Sequence, residues 1–386
     1  MNPTALSGLP SRFVVGLIGF AKPEAFAYNS LMRGTLLAWP GAPSALLSAV
    51  LFGASTPFAK LLLGEGVSPW LLAGLLYLGS GIGLSVVHLG RRVIGLGSAE
   101  APLRRADLPW LALVVLSGGV LGPVLLMIGL TTTPASSTAL LLNLESLATM
   151  AIAWVAFREN VDRRLLVGAV AILGGAVLIS WQGGPRGFGL GAIAIAGACV
   201  AWGIDNNLTR KLSAADPVQI ALIKGLVAGT VNLVLALFMG AHLPPMPALS
   251  GAALVGFLGY GVSLVLFVLG LRHLGAARTG AYFSTAPFIG AVLAIAMFEE
   301  EVTARLISAG ALMAGGLYLH LSEAHEHEHE HEAMEHEHRH FHDTHHQHVH
   351  APGDPAGEPH THRHHHLPIR HKHSHYPDLH HRHGHA

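Results

Sequence analysis

Charged residues are scarce in this sequence. Asp, Glu, Lys and Arg together make up 12% of its 386 residues, although the segment after residue 322 is strongly polar. The mean hydropathy is nevertheless +0.48, so the upstream part must hold long apolar blocks. These blocks exclude an ordinary soluble multidomain protein of this length. The single cysteine, Cys199, excludes an intrachain disulfide.

Ten apolar blocks predict membrane-spanning helices. A helix of about 20 residues crosses a hydrocarbon core of about 30 Å, and backbone groups in lipid must be satisfied within the protein. The predicted spans are 44–63, 69–89, 109–130, 135–157, 164–181, 187–207, 217–239, 248–270, 279–298 and 304–322. The sequence therefore predicts an all-α, multi-pass integral membrane protein.

The distribution of Lys and Arg predicts the orientation of these spans. With both termini in the cytoplasm, the inside loops carry Arg91, Arg92, Arg104, Arg105, Arg158, Arg163, Arg164, Arg210, Lys211, Arg272 and Arg278. The outside loops then carry only Arg186 and Arg305. Because basic residues concentrate in cytoplasmic loops, this arrangement is favoured. We expect the protein in the cell membrane, in bacteria the inner membrane.

The chain matches itself at an offset of 141 residues. Residues 135–164 align with 276–305, placing Phe157 and Glu159 on Phe298 and Glu300. The first predicted span also matches the sixth at an offset of 150. We therefore expect a first half at 43–182 and a second half at 183–322. Five spans per half place the halves in opposite orientations, as an inverted repeat of the kind found in secondary transporters.

These features resemble EamA-type transporters of the drug/metabolite transporter superfamily. The resemblance rests on the ten spans in two halves, on FGASTPFAK in the first span, and on the paired F-x-E-x4-R segments that begin at Phe157 and Phe298. It implies a gradient-driven transporter that exports a small metabolite, amino acid or drug-like solute. It also implies that each half is one EamA repeat.

Polar residues inside apolar spans are candidates for substrate binding, because an ionisable group at bilayer depth costs at least about 2.5–3.5 kcal/mol on insertion scales. Glu145 stands in the fourth span and aligns with Ala286 in the second half. It is predicted to be an amine ligand or a proton carrier, or alternatively a structural residue between helices. Lys224 can extend toward the inner surface or pair with Glu145 across the halves. The other predicted cavity residues are Asn143, Asn206 and Tyr282.

Three residues near span ends are candidates for gating. Lys60 and Arg210 occupy equivalent positions in the two halves, and Asp205 closes the sixth span with Asn206. Interfacial anchoring is the simpler interpretation of Lys60 and Arg210. No nucleophile–base pair or phosphate-binding loop stands out, so we expect neither an enzyme nor an ATP-driven pump, and no required cofactor.

The segment 323–386 is predicted to be a disordered, histidine-rich tail. From residue 325 onward, 24 of 62 residues are histidine, and the segment has too few apolar residues to form a core. Neutral imidazoles suit divalent transition metals, with candidate ligands at His325, His327, His329, His331, His364, His365 and His366. The alternative function is therefore a divalent metal (Zn, Ni or Co) exporter or a metal-responsive membrane protein. Incidental metal binding by the tail is also open.

The amino-terminal segment 1–42 is predicted to be a poorly ordered extension. Its apolar run at 13–21 is too short to span a bilayer, and Met32 is an alternative start. The expected partners of the protein are a small-molecule substrate and the lipid bilayer, with a homodimer left open and no nucleic acid.

Overall fold

The computed structural model describes residues 41–94, 102–157, 163–181, 188–212, 215–321, 326–331, 334–340, 360–366 and 369–374. The predicted extension at 1–42 lies outside the described residues except at its last two positions. Across the described residues from 41 to 321, the regular elements are helices, and one isolated bridge joins Trp181 to Phe188.

The helices follow the apolar blocks of the sequence. They are α1 Ala42–Gly64, α2 Pro69–Val93, α3 Leu108–Val114, α4 Gly122–Thr132, α5 Ala135–Leu141, α6 Leu144–Phe157, α7 Arg163–Ser180, α8 Leu190–Leu212, α9 Pro217–Phe238, α10 Met246–Val255, α11 Ser263–Phe283, α12 Ala286–Phe298 and α13 Ala304–Leu321. A 3₁₀ turn at Arg105–Asp107 precedes α3. Two π-helical segments, π1 at Val115–Leu121 and π2 at Gly256–Val262, join α3 to α4 and α10 to α11.

Local sequence signals explain where several helices begin. Ser68 caps α2 by accepting a hydrogen bond from the Leu71 amide at 3.3 Å, and Pro69 stands at the first helical position. Asp216 caps α9 through the Val218 amide at 2.8 Å, again with a proline at the first position. A polar cap followed by proline is a strong start signal, because the missing proline N–H would be unsatisfied there anyway.

Seven of the described helical stretches are long and apolar enough to cross a membrane. They are Ala42–Gly64, Pro69–Val93, Arg105–Thr132, Ala135–Ala156, Arg163–Ser180, Pro217–Phe238 and Met246–Leu271. Large apolar side chains such as Val86, Val155 and Leu190 point outward, at 67%, 76% and 85% exposure. An apolar outer surface of this kind suits lipid, so the chain is a multi-span membrane protein.

The chain reverses direction inside α11. A β-carbon added at Gly270 would lie 2.9 Å from Cγ2 of Thr279. The ring centroids of Phe267 and Phe283 are 4.9 Å apart. In a straight helix these pairs would be separated by about 13 and 24 Å along the axis. The two arms of α11 therefore pack against each other, at the place where the sequence predicts a connection between the spans 248–270 and 279–298.

Helix pairing is reciprocal between the two halves of the chain. Helix α1 packs against α11 and α12, while α8 packs against α4 and α6. Helix α2 packs against α9, and α7 against α13. Close approach is possible where side chains are small: a β-carbon at Gly225 would come within 2.6 Å of the Gly81 backbone nitrogen. Such contacts are typical of helices packed in membranes.

Within the predicted tail at 323–386, the structure describes residues 326–331, 334–340, 360–366 and 369–374. The structure contains four short strands there: β1 Glu326–His331, β2 Met334–His340, β3 His360–His366 and β4 Ile369–Ser374. Strand β1 pairs with β4, and β2 with β3, both antiparallel. The register places Glu328 opposite Lys372 and Glu337 opposite Arg363. Opposite charges directly across from each other favour this antiparallel pairing.

Candidate functional site

A cavity of about 50 Å³ lies among α1, α2, α6, α8, α9, α11 and the segment π2. It has room for one or two water-sized groups in this conformation. Polar and aromatic side chains form its surface. The lining residues are Phe52, Tyr77, Glu145, Trp202, Asp205, Asn206, Lys224, Gly259, Tyr260, Ser263, Leu264, Phe267 and Phe283.

A buried ion pair forms one part of the cavity wall. The Lys224 ammonium on α9 bonds to Asp205 Oδ2 on α8, and their side chains are only 3% and 6% exposed. The other carboxylate oxygen of Asp205 accepts a hydrogen bond from Thr209 Oγ1 at 3.0 Å. Lys224 therefore pairs with Asp205 within the second half, rather than with Glu145 across the halves or with the inner surface.

Glu145 faces the same cavity from α6. Its Oε1 accepts a hydrogen bond from Asn206 Nδ2 at 2.9 Å, and Asn206 also reaches Thr149 Oγ1 at 3.2 Å. The residue is 8% exposed. Asn206 thus joins a first-half carboxylate to the second-half helix that carries Asp205, and the predicted cavity residues Glu145, Asn206 and Lys224 meet at one place.

The segment π1 supplies a backbone acceptor beside this cluster. The Gly118 carbonyl accepts hydrogen bonds from Tyr77 Oη at 2.6 Å and from Trp202 Nε1 at 3.0 Å. A π-helical segment shifts the regular hydrogen-bond pattern and so leaves carbonyls available to side chains. Gly118 also lies directly against the carboxylate of Asp205, where a β-carbon would overlap it. The missing side chain allows π1 and α8 to approach.

Aromatic side chains form another part of the cavity wall. Phe52 makes contacts with Tyr260 at 5.7 Å and with Phe283 at 5.1 Å between ring centroids, and Phe283 contacts Phe267. Phe52 also meets Trp202 edge to face at 5.7 Å. These are normal distances for stabilising aromatic pairs. The cavity therefore has a charged and amide-bearing side and an aromatic side.

A second polar cluster lies at the end of the bundle where α4 and α5 meet. The Glu300 carboxylate accepts hydrogen bonds from the Ala135 amide at 2.8 Å, from the Ser136 amide at 3.1 Å and from the Ser136 hydroxyl. Lys60 donates to the Leu130 carbonyl, and to the Thr133 carbonyl at 3.1 Å. Glu300 thereby links the second half to the start of α5 in the first half.

The remaining predicted residues lie away from the cavity. Asn143 is buried and donates to the Leu140 carbonyl at 2.9 Å and to Met313 Sδ. Tyr282 belongs to a separate buried cluster with Ala42, Ala45 and Leu274. Arg210 is buried near the end of α8, outside the lining, whereas Asp205 lies in the lining itself.

Sequence reasoning did not select four aromatic residues that line the cavity. Phe52, Trp202, Phe267 and Phe283 are cavity residues that apolar patterning could not separate from lipid-facing ones. The repeat offers one signal, because Phe52 and Trp202 are equivalent positions at the offset of 150, and two large rings at equivalent sites meet near the centre.

Across the described part of the chain, no group of three or more His, Cys, Asp and Glu side chains has the arrangement of a metal site. Of the predicted tail ligands, His327, His329 and His331 fall on β1, and His364, His365 and His366 on β3, while His325 lies outside the described residues.

Comparison with known proteins identifies the class of this fold. The model of the EamA-like transporter family matches residues 39–181 and 189–322. A solved crystal structure with 20% sequence identity covers 72% of this chain and 95% of its own chain, with a TM-score of 0.55.

Curated relatives carry transporter names. An uncharacterized transporter of Methanothermobacter thermautotrophicus is 27% identical over 312 residues, covering 77% of this chain and 88% of the relative. A probable terminal-alkyne amino-acid exporter of Streptantibioticus cattleyicolor is 26% identical, covering 61% and 82% respectively. An uncharacterized inner membrane transporter, YedA of Escherichia coli, is 23% identical, covering 67% and 83%.

Proposed function

The chain belongs to the EamA-like transporter family, and on that premise we propose that it is a gradient-driven transporter that exports a small organic solute from the cytoplasm. The solute class is a metabolite, an amino acid or a drug-like compound. The observation that carries this proposal is the buried cavity in which Glu145, Asn206 and the Asp205–Lys224 pair converge. Ionisable groups are costly at bilayer depth and are typical of substrate pathways there.

We propose the ten-span inverted repeat as the basis of transport. Three observations support it. The segments π1 and π2 begin at Val115 and Gly256, 141 residues apart, the same offset as the sequence repeat. Each contact of α1 with α11 and α12 has a counterpart in the contacts of α8 with α4 and α6. Helices α2 and α9, and α7 and α13, pack as equivalent pairs. Two halves related in this way can rock around a central site.

The proposed orientation places both termini in the cytoplasm, and its support is the distribution of Lys and Arg. In this orientation Lys60 and Glu300 lie at the outer end of the bundle. Glu300 ties the second half to the start of α5, and Lys60 bonds to the end of α4 within the first half. We assign them to the outer gate, which must open for solute release.

A relative's name supports an organic solute over a metal ion. One curated relative is a probable terminal-alkyne amino-acid exporter, so an amino-acid-sized substrate is compatible with this fold. The metal-export alternative rests on the composition of the tail, and tail deletion tests it.

Inside-out membrane vesicles test the proposed function. Vesicles from cells that overproduce the protein are given an imposed proton gradient and a panel of labelled amino acids, amines and other metabolites. We expect at least one panel member to accumulate, and a protonophore or Glu145→Gln to abolish that accumulation. The matched control is Glu65→Gln, an exposed carboxylate after α1, which should behave like the wild type. No gradient-dependent accumulation of any member at wild-type protein levels contradicts the proposal.

A further inference from the structure

We propose that the substrate is an organic monocation: a protonated amine that carries an apolar body of aromatic size and no carboxylate. The proposal rests on the proposed transport function and narrows its substrate class. It assigns the ammonium group to the polar wall, defined as Glu145, Asp205, Asn206 and Lys224, and the apolar body to the aromatic wall, defined as Phe52, Tyr260, Phe267 and Phe283.

The charges of the cavity lining favour a substrate with one positive charge. The carboxyl and amino groups of the lining are two carboxylates and one ammonium, so the polar wall has one more carboxylate than ammonium. Lys224 and Thr209 already satisfy the two oxygens of Asp205. Glu145 accepts a neutral amide hydrogen bond from Asn206. Since a buried carboxylate is stabilised by a cation beside it, Glu145 is the group that selects a single positive charge.

The two halves of the repeat differ at the positions of these acids. Glu145 aligns with Ala286 and Asp205 with Ser55. A structural role shared by both halves would place acids symmetrically. Instead, the acids of the lining stand on α6 and α8, while the equivalent positions on α12 and α1 hold alanine and serine, neither of which lines the cavity. The cavity is therefore polarised, and it orients an amphipathic solute with its charged end toward α6 and α8.

The aromatic wall suits the apolar body of the substrate. Phe52, Tyr260 and Phe283 contribute packed rings to the same cavity of about 50 Å³ that Glu145 lines. Ring faces attract ammonium groups through their quadrupoles, and they also bury flat apolar bodies. This wall complements an aryl or short branched alkyl group attached to an amine, and the cavity of about 50 Å³ must widen to admit such a group.

The same geometry disfavours a carboxylate on the substrate. Within the lining, the ammonium of Lys224 is the cationic group that could accept a carboxylate, and it is held by Asp205. An α-amino acid would place its carboxylate near Glu145 and Asp205, where like charges repel in a medium of low dielectric constant. The pocket should therefore bind an amine more tightly than the amino acid that has the same side chain.

Binding of three matched probes to the purified full-length protein in nanodiscs tests the proposal. Phenethylamine, phenylalanine and phenylacetate share one aromatic body and differ in charge. We expect phenethylamine to bind about tenfold or more tightly than phenylalanine, and phenylacetate to bind least. Glu145→Gln should remove this preference, Glu145→Asp should retain it with lower affinity, and Phe283→Leu should weaken binding of the amine. Glu65→Gln serves as the matched control and should bind like the wild type.

Counterflow of the same probes in proteoliposomes separates the two levels of the proposal. Phenylalanine that binds as tightly as phenethylamine, or amine binding that survives in a folded Glu145→Gln variant, overturns the substrate class. If phenylalanine or phenylacetate shows counterflow and the amine does not bind, the proposed substrate class is overturned. The proposed transport function then stands. If the amine binds and none of the three probes shows counterflow, the proposed transport function is overturned. The preference of the pocket for an amine then stands.

Discussion

Asp205 and Lys224 form a buried ion pair between α8 and α9, in the wall of the central cavity. Two opposite charges with side chains 6% and 3% exposed are tolerated together because each compensates the other. Removing one charge leaves the other uncompensated in a medium of low dielectric constant.

Breaking this pair should be more harmful than removing it. We expect Lys224→Met to lower the free energy of unfolding by about 3–5 kcal/mol, measured by denaturant unfolding in detergent. The double variant Asp205→Asn, Lys224→Met should recover most of that loss, because no buried charge remains. A double variant as unstable as the single one would show that the pair acts through packing and not through charge.

Gly118→Ala should separate π1 from α8. A β-carbon at this position would overlap the Asp205 carboxylate, so the segments must move apart, at a cost of about 1–3 kcal/mol. The matched control is Gly174→Ala in α7, where no atom lies within 4 Å of the added carbon. Thermal melting of both variants decides the matter, and equal melting temperatures would refute the close approach.

Glu300 should stabilise the junction of the two halves. Its carboxylate accepts hydrogen bonds from the Ala135 amide and from both the amide and hydroxyl of Ser136. Glu300→Ala removes all of them and should cost about 0.5–2 kcal/mol, as for other helix N-cap losses. Glu301→Ala, at the exposed neighbouring position, is the control in the same unfolding assay. A loss of similar size in both variants would remove the capping role.

Truncation after residue 322 tests the tail. We expect vesicle transport of the organic substrate to be unchanged, because the cavity lies entirely upstream. Binding of Zn²⁺ and Ni²⁺ by the purified protein should fall strongly, since 24 histidines are removed. Cells that produce full-length or truncated protein are then compared for tolerance to Zn, Ni and Co. Tolerance that depends on the tail would favour the metal-export alternative, and equal tolerance would count against it.

Several helices could be predicted from the sequence because the bilayer imposes length and polarity on them. The span predicted at 217–239 corresponds to Pro217–Phe238, and that at 69–89 lies within Pro69–Val93. The pairing of Lys224 with Asp205 could not be predicted from the sequence, for a different reason. Hydropathy predicts how deep a residue lies in the bilayer. The neighbours of that residue depend on the rotation of its helix about its own axis, and packing with other helices sets this rotation.

The sequence alone determined that this chain is a membrane protein with an internal repeat, because about 20 apolar residues per crossing and the repeated F-x-E-x4-R segments are visible in one dimension. It also selected Glu145, since a carboxylate at bilayer depth is costly without a function. Only the tertiary structure decided that Asp205 holds Lys224, that Asn206 joins Glu145, and that an aromatic wall lines the same cavity. These relationships join residues as far apart in sequence as Phe52 and Phe283, and they arise from the angles at which the helices pack.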